Sequence, residues 1–245
     1  MSRPIIIVFI LFLTLNLKSQ DFCGFIQNVQ AYQDAVKLKE IQNRNILDPN
    51  TFDIEHYLSF FDNITIEKGY KIDVYYMDRS IDGYPYLYAI KKHKFSNKKN
   101  INSLEEILNQ PENRAKNHIF PKDSKLGYLQ FLFFYKMGEQ FALYWHANYG
   151  ECRIVCTKNK IDAIIEELTI SKDFLTLPKE LSKLKDINPE IKIEYDDKYC
   201  NITWIEYRTH SGIYQCTYQI ERNGSYEIKR TSEIVLVHID IGFIY

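Results

Sequence analysis

The chain has 245 residues, with 31 Lys and Arg against 32 Asp and Glu, 45% apolar residues, 15% aromatics, 19 Tyr and 15 Phe. Such a composition excludes a disordered, collagen-like or multi-span membrane chain. A formal charge of −1 supplies no global field for gripping a polyanion, which argues against a general nucleic-acid binder.

The first element is a targeting segment. Arg3 precedes Ile5–Leu15, an apolar run of 11 residues interrupted only by Thr14. A bilayer-spanning helix needs about 20 apolar residues, whereas a secretory signal has a basic start, a short apolar centre and a small residue at the cut. Residues 1–19 therefore read as a signal peptide, with Ser19 before the cleavage site and no transmembrane span left after it. Gln20-Asp21-Phe22 are not the small residues a lipoprotein processing site requires, so lipidation of Cys23 is not expected. The exported form carries 29 basic and 32 acidic residues, a net charge of −3, and is placed as secreted or periplasmic.

Export gives the five cysteines a context in which disulfides persist, and an odd count leaves at least one without an intrachain partner. Cys152 and Cys156 lie on one expected strand, where their Cα atoms would be roughly 13 Å apart, beyond the bridging limit of about 7 Å. Cys200 and Cys216 flank a hairpin in a register that does not bring them opposite each other. Most of the cysteines are thus expected as small buried residues, with room for one bridge that the spacing does not assign.

Residues 24–46 space Phe25, Val29, Tyr32, Val36 and Ile41 as an amphipathic helix. Asp48-Pro49 is expected to open a second helix that buries Ile54, Tyr57, Leu58 and Phe61. From Tyr70 the period becomes two, and Asp82-Gly83 separates two alternating runs, 70–76 and 84–92, into a β-hairpin. A lysine-rich loop leads to Ser103-Leu-Glu-Glu106, a capping box for a short helix that Pro111 interrupts. Leu126–Tyr135 and Gln140–Tyr149 read as apolar, aromatic strands, residues 151–157 as another, and Ile161, Ile164, Ile165 and Leu168 as a helix.

Together these segments predict, over residues 20–170, an α+β domain with a mostly antiparallel five-stranded sheet and covering helices. Residues 171–190 are charged, contain Pro178 and Pro189, and read as a linker with a weak helix around Leu181 and Leu184. Residues 191–245 read as a β-meander of strands 191–195, 199–208, 213–221, 225–230 and 233–241. A unit of that size is small for independent stability, so the meander is expected to pack against the first domain.

Several constellations invite chemical readings. Asp78, Ser80 and Asp82 in Asp78-Arg-Ser-Ile-Asp-Gly83 have the alternating oxygen ligands of a calcium loop, but position twelve holds Ala89, where a bidentate acid is required. A hairpin turn explains the segment better. His146, Cys152 and Cys156, with Asn148 nearby, raise a cysteine hydrolase as the alternative function, although no family signature surrounds either thiol. The six His show no zinc-ligand spacing, and phosphate-binding glycine loops are absent. No metal or other cofactor is expected.

Tyr84, Tyr86 and Tyr88 fall on one face of one strand and lead into a basic cluster at Lys91, Lys92 and Lys94. Aromatic rings also favour strands for packing reasons alone, and packing is the more common role of such a face. With no catalytic constellation complete, the leading expectation is a non-catalytic exported protein that offers this face to a protein or glycan partner at the cell envelope.

Overall fold

The structure is a computed structural model that describes residues 20–43, 52–77, 82–92, 110–170, 177–222 and 224–239. The expected signal peptide, Asp48-Pro49, Asp78, Ser80, Lys94 and the capping box at 103–106 lie outside them. Among the described residues no helix is long and apolar enough to cross a membrane.

Helix α1 (Gln20–Asn43) buries Ile26 and Val29 completely. Its buried Gln33 is satisfied across the core, the side-chain amide donating to the Met137 carbonyl oxygen (2.8 Å) and to the Tyr57 hydroxyl (3.1 Å). Helix α2 (Ile54–Ser59) is capped by Asp53, whose Oδ1 accepts from the His56 N–H at 2.8 Å. The capping residue of this helix is therefore Asp53, where the sequence reading placed it at Asp48. Strands β1 (Ile64–Ile66), β2 (Tyr70–Met77) and β3 (Asp82–Lys91) follow, and β2 and β3 form the expected hairpin with Tyr75 opposite Tyr86. Pro85 is tolerated within β3 because strand β5 (Tyr144–Trp145) pairs only with Asp82 and Gly83, leaving that edge without a ladder beyond them.

The largest departure from expectation is Leu126–Tyr135. This segment is not a strand but most of helix α3 (Lys125–Met137), N-capped by Ser124, whose Oγ accepts from the Gly127 N–H at 3.0 Å. Gly127 through Phe134 are all buried, so the helix is apolar around its whole circumference and shows no polar stripe. Its one polar residue in that run, Gln130, accepts from the Asn63 N–H (2.7 Å) and donates to the Phe60 carbonyl oxygen (3.2 Å). Strand β4 (Ile119–Pro121) precedes α3 and pairs with β1. Gln140–Tyr149 is likewise not a full strand. Ala142 adopts a left-handed φ of 53°, only β5 is extended, and His146–Gly150 is a 3-10 turn.

Strand β6 (Cys152–Val155), helix α4 (Lys158–Ile170) and helix α5 (Leu177–Leu184) lead into β7 (Lys192–Tyr195), β8 (Tyr199–Arg208), β9 (Gly212–Glu221) and β10 (Ile228–His238). The expected strands 225–230 and 233–241 are one strand, β10, with register shifts at Thr231 and at Leu236. Residues 177–184 of the expected linker are helical, and Leu181 and Leu184 are buried.

The fold is α+β with an antiparallel five-stranded sheet. Its order is β10-β9-β8-β6, and β7 lies end to end with β6 along the same edge of β8. One face of this sheet, including Ile202, Trp204, Cys216 and Tyr218, packs into a core shared with α1 and α3. The other face, including Val155, Ile205, Ile213 and Val237, packs on α4 and α5. The β8–β9 turn needs Gly212, which has φ 126° and lies against the Val237 carbonyl oxygen, where a side chain would collide. A disulfide between Cys23, in the first turn of α1, and Cys156, just past β6, ties the N-terminal helix to the sheet across 133 residues (Cα–Cα 5.7 Å).

Candidate functional site

Strand alternation divides the β2–β3 hairpin into two faces. Leu87, Ala89 and Ile72 point inward and are buried. The opposite face carries Tyr84, Tyr86 and Tyr88 on β3, with Tyr75 and Asp73 across from Tyr86 and Tyr88. The structure splits these tyrosines. Tyr88 is 8% exposed, held beside a segment of short 3-10 turns (Pro111–Asn113 and Ala115–Asn117) by a bridge to Arg114. Burial and the neighbouring Asp73 carboxylate push its hydroxyl pKa well up, so it stays neutral. Tyr84 is 37% exposed, Tyr86 and Tyr75 are half-buried, and the Tyr84 and Tyr86 rings lie 6.3 Å apart at 47°. The open half of the face is therefore a platform of three phenol rings that includes Tyr75, a residue the sequence reading did not nominate.

The platform rests on a firm base. The Leu87 N–H, on the edge of β3 away from β2, donates to the carboxylate of Glu139 at 2.9 Å. Lys91 and Lys92 are exposed at the far end of the same strand. Asp82 is the first residue of β3, paired with Trp145. Among the described residues no group of three or more His, Cys, Asp or Glu could hold a metal ion.

The residues of the hydrolase alternative are placed apart in chemistry. Cys156 is bonded to Cys23 and has no thiol to offer. Burial, followed by the Glu206 carboxylate, pushes the Cys152 thiol well above its ordinary pKa, the opposite of what a nucleophile needs. His146 is exposed on its 3-10 turn with its ring edge-on to Tyr149 at 5.0 Å.

Cys152 instead belongs to a polar cluster inside the sheet that the sequence did not reveal. Glu206, 2% exposed, accepts from the Tyr218 hydroxyl (2.7 Å), the Trp204 Nε1–H (2.9 Å) and the Arg208 guanidinium (2.6 and 3.1 Å). Arg208 also reaches Glu233 at 2.6 Å and lies 4.1 Å over the Tyr214 ring. Burial acts to raise the Glu206 pKa, but these donors outweigh it and hold the carboxyl below the usual range. Both Glu206 carboxylate oxygens accept from protein donors, and through Arg208 and Glu233 the cluster joins β8, β9 and β10.

His118 is a second buried polar group that spacing could not identify. Its Nδ1 faces a Glu67 carboxylate oxygen at 2.6 Å, its Nε2 faces the Glu112 carbonyl oxygen, and its ring stacks on Tyr70 at 4.0 Å. Both ring nitrogens lie against acceptor oxygens, which fixes the ring in the seam between the β1–β2 turn and the Pro111–Asn113 turn. A cleft of about 600 Å³ opens beside the Cys23–Cys156 bridge, lined by Lys125, Lys158 and Lys192 and by Glu190 and Glu194. Its mixed charges define no single ligand chemistry.

The chain matches no family model, and no curated protein or solved structure is significantly similar to it.

Proposed function

We propose that this chain is an exported, non-catalytic binding protein, secreted or periplasmic, that presents Tyr75, Tyr84 and Tyr86 to a protein or glycan at the cell envelope. The observation that carries this reading is the division of one strand face into a buried anchor, Tyr88, and an open aromatic half. Phenol rings give large contact area with few rotatable bonds, and their faces stack on sugar rings and peptide side chains alike. Lys91 and Lys92 extend the surface with positive charge suited to an anionic envelope component. The leader-like segment at 1–19 and the Cys23–Cys156 bridge support an oxidising destination.

The cysteine-hydrolase alternative gains no support from the geometry, since neither candidate sulfur is available as a thiolate.

The test is photo-cross-linking in the exporting host with a photoreactive phenylalanine derivative at position 84, followed by binding of the captured partner to purified variants. A single discrete protein or glycan adduct is expected. Tyr84→Ala combined with Tyr86→Ala should weaken its binding by about fivefold to over a hundredfold, from about 1–3 kcal/mol for two stacked rings, with the fold retained by circular dichroism. Equal binding by the double variant would overturn the proposal.

A further inference from the structure

Strand β10 ends the five-stranded sheet, and among the described residues no strand pairs with its outer edge. It is 11 residues long, and Ile234 and Val235 are 50% and 52% exposed. Free edges of this kind recruit another strand, and proteins usually blunt them with charges or bulges. β10 carries Lys229, Arg230 and a bulge at Thr231, and these features fit a copy of the same strand.

The bulge sets which residues share a face. Arg230 pairs with Tyr218 of β9 and Glu233 with Cys216, so both point to the same side of the sheet although they are three apart. Directly opposed residues of an antiparallel pair must share a face. Running β10 against itself about a two-fold axis between Thr231 and Ser232 satisfies that condition. Arg230 then faces Glu233 of the partner subunit, Lys229 faces Ile234 of the partner subunit, and Ile228 faces Val235 of the partner subunit. At the centre Thr231 meets Ser232 of the partner subunit. Across residues 228–235 the bulges at Thr231 lie opposite each other, so neither strand has a residue in excess there, and the second register shift, at Leu236, falls beyond the paired span. A register shifted by one residue would set Arg230 against Ile234 on the wrong face.

We infer that β10 is a self-complementary edge through which two copies of this chain pair, extending two five-stranded sheets into one. Arg230 meets the opposite charge of Glu233, Thr231 meets a hydroxyl, Val235 meets Ile228, and Ile234 lies against the aliphatic stem of Lys229, each contact made twice by symmetry. Glu233 already accepts from Arg208 and Arg230 of its own chain, which holds its carboxylate on the pairing face. With about eight residues of each strand engaged, the interface falls in the small class, and the dimer is weak and reversible.

The test uses sedimentation velocity on the mature chain across the micromolar range, with two variants. The wild type should show a concentration-dependent monomer–dimer equilibrium. Arg230→Glu places like charges opposite each other at two symmetric positions and should raise the dissociation constant about tenfold or more, with unchanged circular dichroism. Lys229→Cys combined with Ile234→Cys should give, on oxidation, a covalent dimer linked between position 229 of one copy and 234 of the other. Those two positions are too far apart along one strand to bridge within a chain. A wild type that stays monomeric, or a dimer that ignores Arg230→Glu and yields no such cross-link, would overturn the inference.

Discussion

Replacing Glu206 by alanine should destabilise the protein by about 3–5 kcal/mol, the range for breaking a buried ion pair by removing one partner. The carboxylate is 2% exposed and collects donors from Trp204, Tyr218 and Arg208. Alanine would leave the buried indole N–H and phenol without acceptors, at roughly 1–3 kcal/mol for each unsatisfied group. Arg208 keeps Glu233 and is less affected. Glu206→Gln should cost less, because the amide oxygen still accepts from Trp204 and Tyr218, although its NH₂ then meets the Arg208 guanidinium donor against donor. The same group makes stability depend on pH. Its folded-state pKa lies below the unfolded value of about 4.3, so its contribution is present above that value and is lost as pH falls through the folded pKa. The buried Glu151 carboxyl is also lowered: burial opposes ionisation, but Arg153 and Lys37 win. Urea midpoints should therefore fall as pH drops from about 5 into the acid range, and Glu206→Gln should flatten that slope.

The second large effect comes from the Cys23–Cys156 bridge. It closes a loop across 133 residues, for which the chain-entropy model gives about 5 kcal/mol, with roughly 2–5 typical when a native bridge is removed. The double variant Cys23→Ala with Cys156→Ala avoids a lone reactive thiol and should lower the urea midpoint accordingly. Helix α1 should loosen first, because the bridge holds its first turn, while Ile26 and Val29 are its fully buried apolar anchors in the core. An unchanged midpoint would show that α1 is held by packing alone.

How much of this was legible in the sequence depended on whether the determining contacts were local. The β2–β3 hairpin and the β8–β9 pair could be read because alternation and turn residues lie within one segment. Helix α3 could not, because a helix buried on all sides loses its 3.6-residue stripe. Its apolar run then imitates a strand, and only its length and the Ser124 cap argued otherwise. β6 was readable as a strand but not as the partner of β8, about fifty residues later. The bridge had no readable partner for Cys156, since Cys23 lies 133 residues earlier, in the first turn of α1, and only the packing of that helix on the sheet brings the two together.

For the candidate site, Tyr84 and Tyr86 were visible from spacing, but the burial of Tyr88 depends on the Arg114 segment and the contribution of Tyr75 on hairpin register. Glu206 was hidden as one acid among strand apolars. The weak signal was Trp204, Glu206 and Arg208 at alternate positions of one strand.

The account of an exported protein without a cysteine nucleophile is tested most directly by a thiol census. The protein is purified from its native exporting host, alkylated with iodoacetamide before and after unfolding without reductant, and mapped by peptide mass. The predicted result is a chain beginning near Gln20 with Cys23 linked to Cys156. Cys200 and Cys216, both buried with thiols pushed up to about 12, should be alkylated only after unfolding, and Cys152, half-buried with its thiol pushed well above its ordinary range, only slowly before it. Free, reduced Cys23 and Cys156, together with fast alkylation of Cys152 in the native fold, would contradict both the compartment and the non-catalytic reading.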